Sequence, residues 1–112
     1  MITEAAFSEI LAMYRKHGWL LRRLLLRAET QTALGERLDK IGKDVPVLIQ
    51  QLDAAWFSRP PGSSDVTWEL RSLGDEPFAL LETMDEESPG FEGKIEAVQI
   101  RLKEAVARKS SA

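Results

Sequence analysis

Ala54-Ala55-Trp56-Phe57-Ser58-Arg59 is followed by Pro60-Pro61-Gly62-Ser63-Ser64-Asp65 and then by Val66-Thr67-Trp68-Glu69-Leu70-Arg71. Two strand-forming runs separated by a cluster of proline, glycine, serine and aspartate predict a β-hairpin. Gly74-Asp75-Glu76-Pro77 makes the next turn, and Phe78 to Met84 reads as a third strand, so the three form an antiparallel meander. Setting Arg59 opposite Val66 brings Phe57 to Trp68 and Ala55 to Leu70, an apolar face that Phe78 and Leu80 continue. The reverse face then carries Trp56, Thr67, Glu69, Arg71, Ala79, Leu81 and Thr83, a mixture of apolar and charged groups that is only half covered.

Upstream, Thr3 has the chemistry of a helix N-cap. Ala6, Phe7, Ile10, Leu11 and Tyr14 follow at helical spacing until Gly18 supplies a stop. Arg15, Lys16 and His17 sit in the last turn, where the helix dipole favours positive charge, so His17 needs no function to explain it. Trp19 to Leu26 suits a helix on propensity alone. Because Gly18 has just ended a helix, a strand is expected there, with Leu20, Leu24 and Leu26 on one face and Trp19 opposite. Residues 30–41 return to helical order through Ala33, Leu34, Leu38 and Ile41, ending at Gly42. In Val45 to Leu52, Pro46 excludes the middle of a sheet and leaves either an edge strand or a short helix that starts at the proline.

Downstream, Ser88-Pro89 opens a last helix whose seam is Phe91, Ile95, Val98, Leu102 and Ala105. Residues 109–112 form a short polar tail, expected to be disordered. The expected architecture is a single α+β domain over residues 1–108. Its antiparallel sheet consists of the meander and one further strand, packed with N-terminal, short middle and C-terminal helices.

A chain of 112 residues is long enough to bury a core without staples. It has no cysteine, which removes thiol nucleophiles, cysteine-ligated metals and disulfides, and a single histidine cannot form a two-histidine metal site. No catalytic residue, metal ligand or cofactor site is assigned, and the expectation is a protein that is not an enzyme. The longest stretch free of charge, Val45 to Leu52, has 8 residues, against the roughly 20 apolar residues of a membrane-spanning helix. Glu4 and Glu9 stand where a secretory signal would be basic, which points to the cytoplasm.

The net charge of −3 divides unevenly: residues 1–43 hold 8 basic and 5 acidic groups, residues 44–90 hold 2 and 10, and residues 91–112 hold 5 and 3. Arg22, Arg23 and Arg27, with Arg15 and Lys16 nearby, form the basic cluster. It is small for a phosphate-neutralising surface, so a nucleic-acid-binding accessory is a minor alternative. Asp53, Glu69-Leu70-Arg71 and Glu82 loosely resemble the restriction-nuclease-like arrangement of Asp followed by Glu-x-Lys. That resemblance implies carboxylates holding a divalent metal, but Arg71 stands where a titratable lysine belongs, and arginine stays protonated. A small ligand-binding domain or metal-dependent enzyme using Arg59, Glu69, Arg71 and Glu82 is therefore the second alternative.

Trp19, Trp56 and Trp68, with Arg22, Arg23, Arg59 and Arg71, are the residue types most enriched at binding hot spots. If Trp56 and Leu81 lie on a half-covered sheet face, a second copy of the chain is the simplest cover. The leading expectation is a protein-interaction module that forms a homodimer through a sheet face or the terminal helix, with other protein partners possible. Trp19, Arg22, Arg23, Trp56, Arg59, Trp68, Glu69, Arg71, Leu81 and Glu82 are its interface candidates.

Overall fold

A computed structural model of the chain describes residues 2–41, 44–59, 66–74 and 78–111. The elements run α1 (Glu4–Lys16), β1 (Leu20–Leu26), α2 (Ala28–Leu34), α3 (Arg37–Ile41), β2 (Val47–Ile49), β3 (Ala54–Arg59), β4 (Val66–Ser72), β5 (Ala79–Met84) and α4 (Phe91–Ser111). The fold is α+β, with one five-stranded sheet in the order β2-β1-β3-β4-β5. The sheet is mixed, a correction to the antiparallel expectation: β2 lies parallel to β1, while the remaining neighbours are antiparallel.

Local chemistry accounts for the element ends. The Thr3 hydroxyl accepts the Ala6 N–H at 3.1 Å, and Gly18 takes φ +86° just beyond α1, where a side chain would be strained. Gly35, at φ +53°, divides the expected middle helix into α2 and α3. Gly42 and the two expected turns at 60–65 and 75–77 lie outside the described residues. The open question at Val45–Leu52 resolves as an edge strand placed just after Pro46, as a residue without an N–H requires. α4 continues through Lys109 to Ser111, so the helix takes in most of the expected polar tail, while Ala112 lies outside the described residues.

The hairpin register differs from the expected one by a single residue. Arg59 faces Thr67, Phe57 faces Glu69, Ala55 faces Arg71 and Trp56 faces Leu70. Side chains alternate across a sheet, so this step turns all of β4 over relative to β3. Trp56 thereby joins Trp68 and Leu70 on one face, and Phe57 joins Glu69 and Arg71 on the other. A second irregularity, a β-bulge between Leu21 and Arg23, places Leu20 opposite Ser58 but Leu24 opposite Ala55. Leu20 therefore lies on the face away from Leu24 and Leu26, contrary to the regular-strand expectation.

These two shifts produce two cores, one on each side of the sheet. Phe7, Leu11 and Tyr14 of α1 and Leu34 of α2 pack on Leu24, Leu26, Ala55 and Phe57. On the other side, Phe91, Ile95, Val98 and Leu102 of α4 pack on Leu25, Trp56, Trp68, Leu70 and Met84. α1 and α2 cover the β1–β3 half of their face, and α4 covers the β3–β5 half of the other. The premise that Trp56 lies on a half-covered face is thus corrected, since it is 0% exposed beneath the chain's own helix, as is Trp68 at 1% on the same face.

Candidate functional site

Among the described residues, the diagonal placement of the helices leaves two half-faces open, and the candidate residues divide between them. On the α1 side, Glu69 and Arg71 are half-buried, and Leu81, paired with Glu69 in the adjoining strand, is exposed. Trp19 closes one end of this region, edge-on to Tyr14 at 6.2 Å, with the Arg59 guanidinium 5.7 Å from its ring centre. Met13, Tyr14, His17, Trp19 and Glu69 line a depression of about 220 Å³. Arg71 donates to the Ser72 carbonyl oxygen and so braces its own strand.

The Tyr14 ring stacks on Phe57 at 3.9 Å, and its hydroxyl is held protonated well above the ordinary phenol value of 10.0. Burial is the main cause; the Glu69 carboxylate adds to it and the Arg71 guanidinium opposes it. A pKa raised in the fold favours the neutral phenol. The stability it contributes is complete below about pH 10 and declines as pH rises toward the folded value. Denaturant titrations at about pH 9 and about pH 11 should therefore show a larger loss for the wild type than for Tyr14→Phe. Equal losses would refute the assignment, and the readout is clean because the chain has no other tyrosine.

On the α4 side, the bulge turns consecutive arginines onto the same face. Arg22 lies 4.7 Å from the centre of the Trp68 ring and donates to Ser58 Oγ at 2.9 Å and Glu86 Oε1 at 3.2 Å. Arg23 lies 5.9 Å from the Phe91 ring centre and grips Glu92 through two hydrogen bonds of 3.1 and 2.6 Å. This contact holds the Glu92 carboxyl below its ordinary value. Trp56 Nε1 donates to Gln99 Oε1 at 2.9 Å, and the Trp56 and Trp68 rings meet edge to face at 5.8 Å. Glu82 accepts from Arg101 at 2.8 Å, joining β5 to α4.

Arg27 pairs with Asp53 at 3.3 Å, so each member of the Arg22, Arg23 and Arg27 cluster already has a carboxylate partner. The cleft lined by Arg22 and Arg23 also contains Asp44, Glu86 and Glu92, giving it more acid than base. This environment opposes a phosphate.

The nuclease-like carboxylates do not converge. Glu69 and Glu82 project to opposite faces, because they are opposite Phe57 and Trp68 respectively. Asp53 is engaged at the start of α2, accepting from the Arg27 N–H at 2.8 Å and the Thr30 hydroxyl at 2.7 Å. Among the described residues no cluster of three or more His, Cys, Asp or Glu side chains is arranged to hold a metal ion. Arg59, Glu69 and Arg71 share a face, but Glu82 does not, so the four do not form a cleft.

Phe91, Glu86 and Glu92 complete the arginine contacts, although no spacing in the sequence announces them. A groove of about 400 Å³ between α4 and β2 was also unmarked. Its sequence signal is Ile100, an apolar residue off the buried seam of α4 that faces the uncharged run at Val45–Leu52. No helix among the described residues is long and apolar enough to cross a membrane. No protein-family model, curated protein or solved structure matches the chain.

Proposed function

We propose that the protein is a non-enzymatic interaction module that pairs with a second copy of itself along β5. The observation that carries this reading is Leu81, 60% exposed within a six-residue strand at the edge of the sheet. Its neighbours on that face, Ala79 and Thr83, are also exposed and uncharged, and Met13 of α1 is 49% exposed beside the same half-face. Edge strands of monomers are usually interrupted by lysine, proline or a bulge, and this face of β5 has none of them.

The strand can pair with itself without opposing like charges. A two-fold axis normal to the sheet keeps the faces matched only if paired residues have the same parity. Centring it on Leu81 sets Leu81 against Leu81 of the second copy and Ala79 against Thr83. Centring it on Glu82 would oppose two carboxylates, which is unfavourable. The paired arginines and covered tryptophans favour this edge over the nucleic-acid and ligand-cleft alternatives. A cytoplasmic location accompanies the proposal, and the absence of cysteine permits it.

Leu81→Cys should cross-link to itself on mild oxidation, because Cα atoms directly opposed across an antiparallel pair lie about 4.5–5.5 Å apart. The absence of native cysteine makes the product unambiguous. Thr83→Cys alone should not cross-link, whereas a mixture of Ala79→Cys and Thr83→Cys should. Sedimentation should find dimers in the wild type and monomers in Leu81→Lys, with unchanged circular dichroism. A wild type that stays monomeric at high micromolar concentration overturns the proposal.

A further inference from the structure

The opposite edge of the sheet carries a different kind of surface. Leu25, Leu52 and Ile95, all buried, form the floor of the groove between α4 and β2. Leu48 of β2 and Ile100 of α4 stand in its walls, 41% and 51% exposed. β2 has β1 as its neighbour on one side, and its other side has no strand partner among the described residues. No charge occurs between Val45 and Leu52, so the edge lacks the lysine or glutamate that ordinarily blocks strand addition.

The helical wall adds a charge pattern. Glu96, Ile100 and Lys103 step by four and three residues and form one stripe along the groove. Glu96 makes no ion pair among the described residues. Lys103 donates at 2.9 Å to Gln51 Oε1, a neutral amide that leaves its charge uncompensated. Glu92, farther along the wall, is already held by Arg23. Glu96 and Lys103 are about 10.5 Å apart along the helix axis, a span that an extended chain covers in three to four residues of about 3.3 Å each.

We infer that this groove receives an extended segment of another protein, which adds as a strand to β2 and presents a cation, an apolar side chain and an anion at alternate positions. The cation meets Glu96, the apolar side chain packs on Leu48, the residue of β2 paired with Leu25, beside Ile100, and the anion meets Lys103. Alternate positions are required because only every second side chain of a strand faces the groove. An amphipathic helix would leave the outer backbone groups of β2 unpaired.

The probe is the acetylated and amidated peptide Thr-Lys-Thr-Val-Thr-Glu-Thr, titrated into isotope-labelled full-length protein. Saturable amide shifts are expected at Val47 to Gln50 and along α4 from Glu96 to Lys103. Replacing the peptide's Glu with Lys, or its Lys with Glu, should weaken binding by about two- to fivefold at low salt, as for other exposed ion pairs. Methylating the backbone amides that pair with β2 should abolish it. Glu96→Lys should weaken binding similarly, and the double exchange Glu96→Lys with Lys103→Glu should restore it for the peptide with its charges exchanged. Both positions are exposed, so the variants are expected to fold, and circular dichroism checks that they do. Absence of shifts at millimolar peptide, shifts elsewhere, or binding indifferent to both methylation and charge exchange overturns the inference.

Discussion

Trp56→Ala lowers the unfolding free energy by about 3–5 kcal/mol, the range for truncating a large buried aromatic side chain. That is a large part of the roughly 5–15 kcal/mol that holds a domain of this size together. Three losses combine. The ring leaves a void beneath α4, its edge-to-face contact with Trp68 disappears, and Gln99 loses the Nε1–H donor it accepts from at 2.9 Å. Trp56→Phe retains most of the packing and should cost less, while Leu81→Ala, measured below the concentration at which copies pair, should change stability by no more than about 0.5 kcal/mol. Urea unfolding monitored by circular dichroism measures all three. If Trp56→Ala cost less than about 1 kcal/mol, the indole would not be part of a tightly packed core, and the β3–β4 register described above would be wrong.

Asp53→Ala is the second large effect, about 2–3 kcal/mol, although the residue lies in the connection between β2 and β3 rather than in an apolar cluster. The N-cap position of α2 is Arg27, whose side chain does not cap, so the first turn takes its acceptor from a carboxylate 26 residues away. Without that carboxylate the buried Thr30 hydroxyl loses its partner and the Arg27 N–H loses its acceptor. The Arg27 guanidinium is about half exposed, so water replaces that part of the interaction and limits the loss. Asp53→Asn keeps an acceptor and should fall between the wild type and alanine. Thermal unfolding with and without divalent cations separates the roles. A cap predicts the same destabilisation in both, whereas a variant of unchanged stability that has lost a cation-dependent rise in melting temperature would make Asp53 a metal ligand.

Much of the element order was legible because its signals are local. Thr3 and Gly18 bound α1 through capping and a left-handed backbone, and Phe91, Ile95, Val98 and Leu102 share a helical stripe that proves to be the buried one. The strand at Leu20–Leu26 could be reached by noting that Gly18 forbids the helix from continuing. Sidedness was less accessible. Which face Trp56 takes depends on whether Arg59 meets Val66 or Thr67, and alternating side chains cannot decide this, because both registers bring apolar groups together. The bulge at Leu21–Arg23 is similarly silent in the sequence, yet it brings Arg22 and Arg23 to the same face over Trp68 and Phe91. Of the site residues, Leu81 was recognisable as an apolar position on a mixed face. The carboxylates that occupy the arginines were not, since Arg22 and Glu86, or Arg23 and Glu92, meet only after the chain has folded across the sheet. The parallel β1–β2 pair was missed for the same reason: the α2–α3 crossover brings β2 beside β1 rather than into the meander.

β3 is the strand that both layers of helices grip, and its adjacent Ala54 and Ala55 point into different cores. A methyl group at each position sets how closely the corresponding layer approaches the sheet. Evolutionary drift should therefore be compensated within each layer. Enlargement at Ala55 would call for a smaller side chain near Phe7 or Leu24, and enlargement at Ala54 for one near Val98 or Leu102, so the two sides of the molecule can diversify almost independently while sharing one backbone.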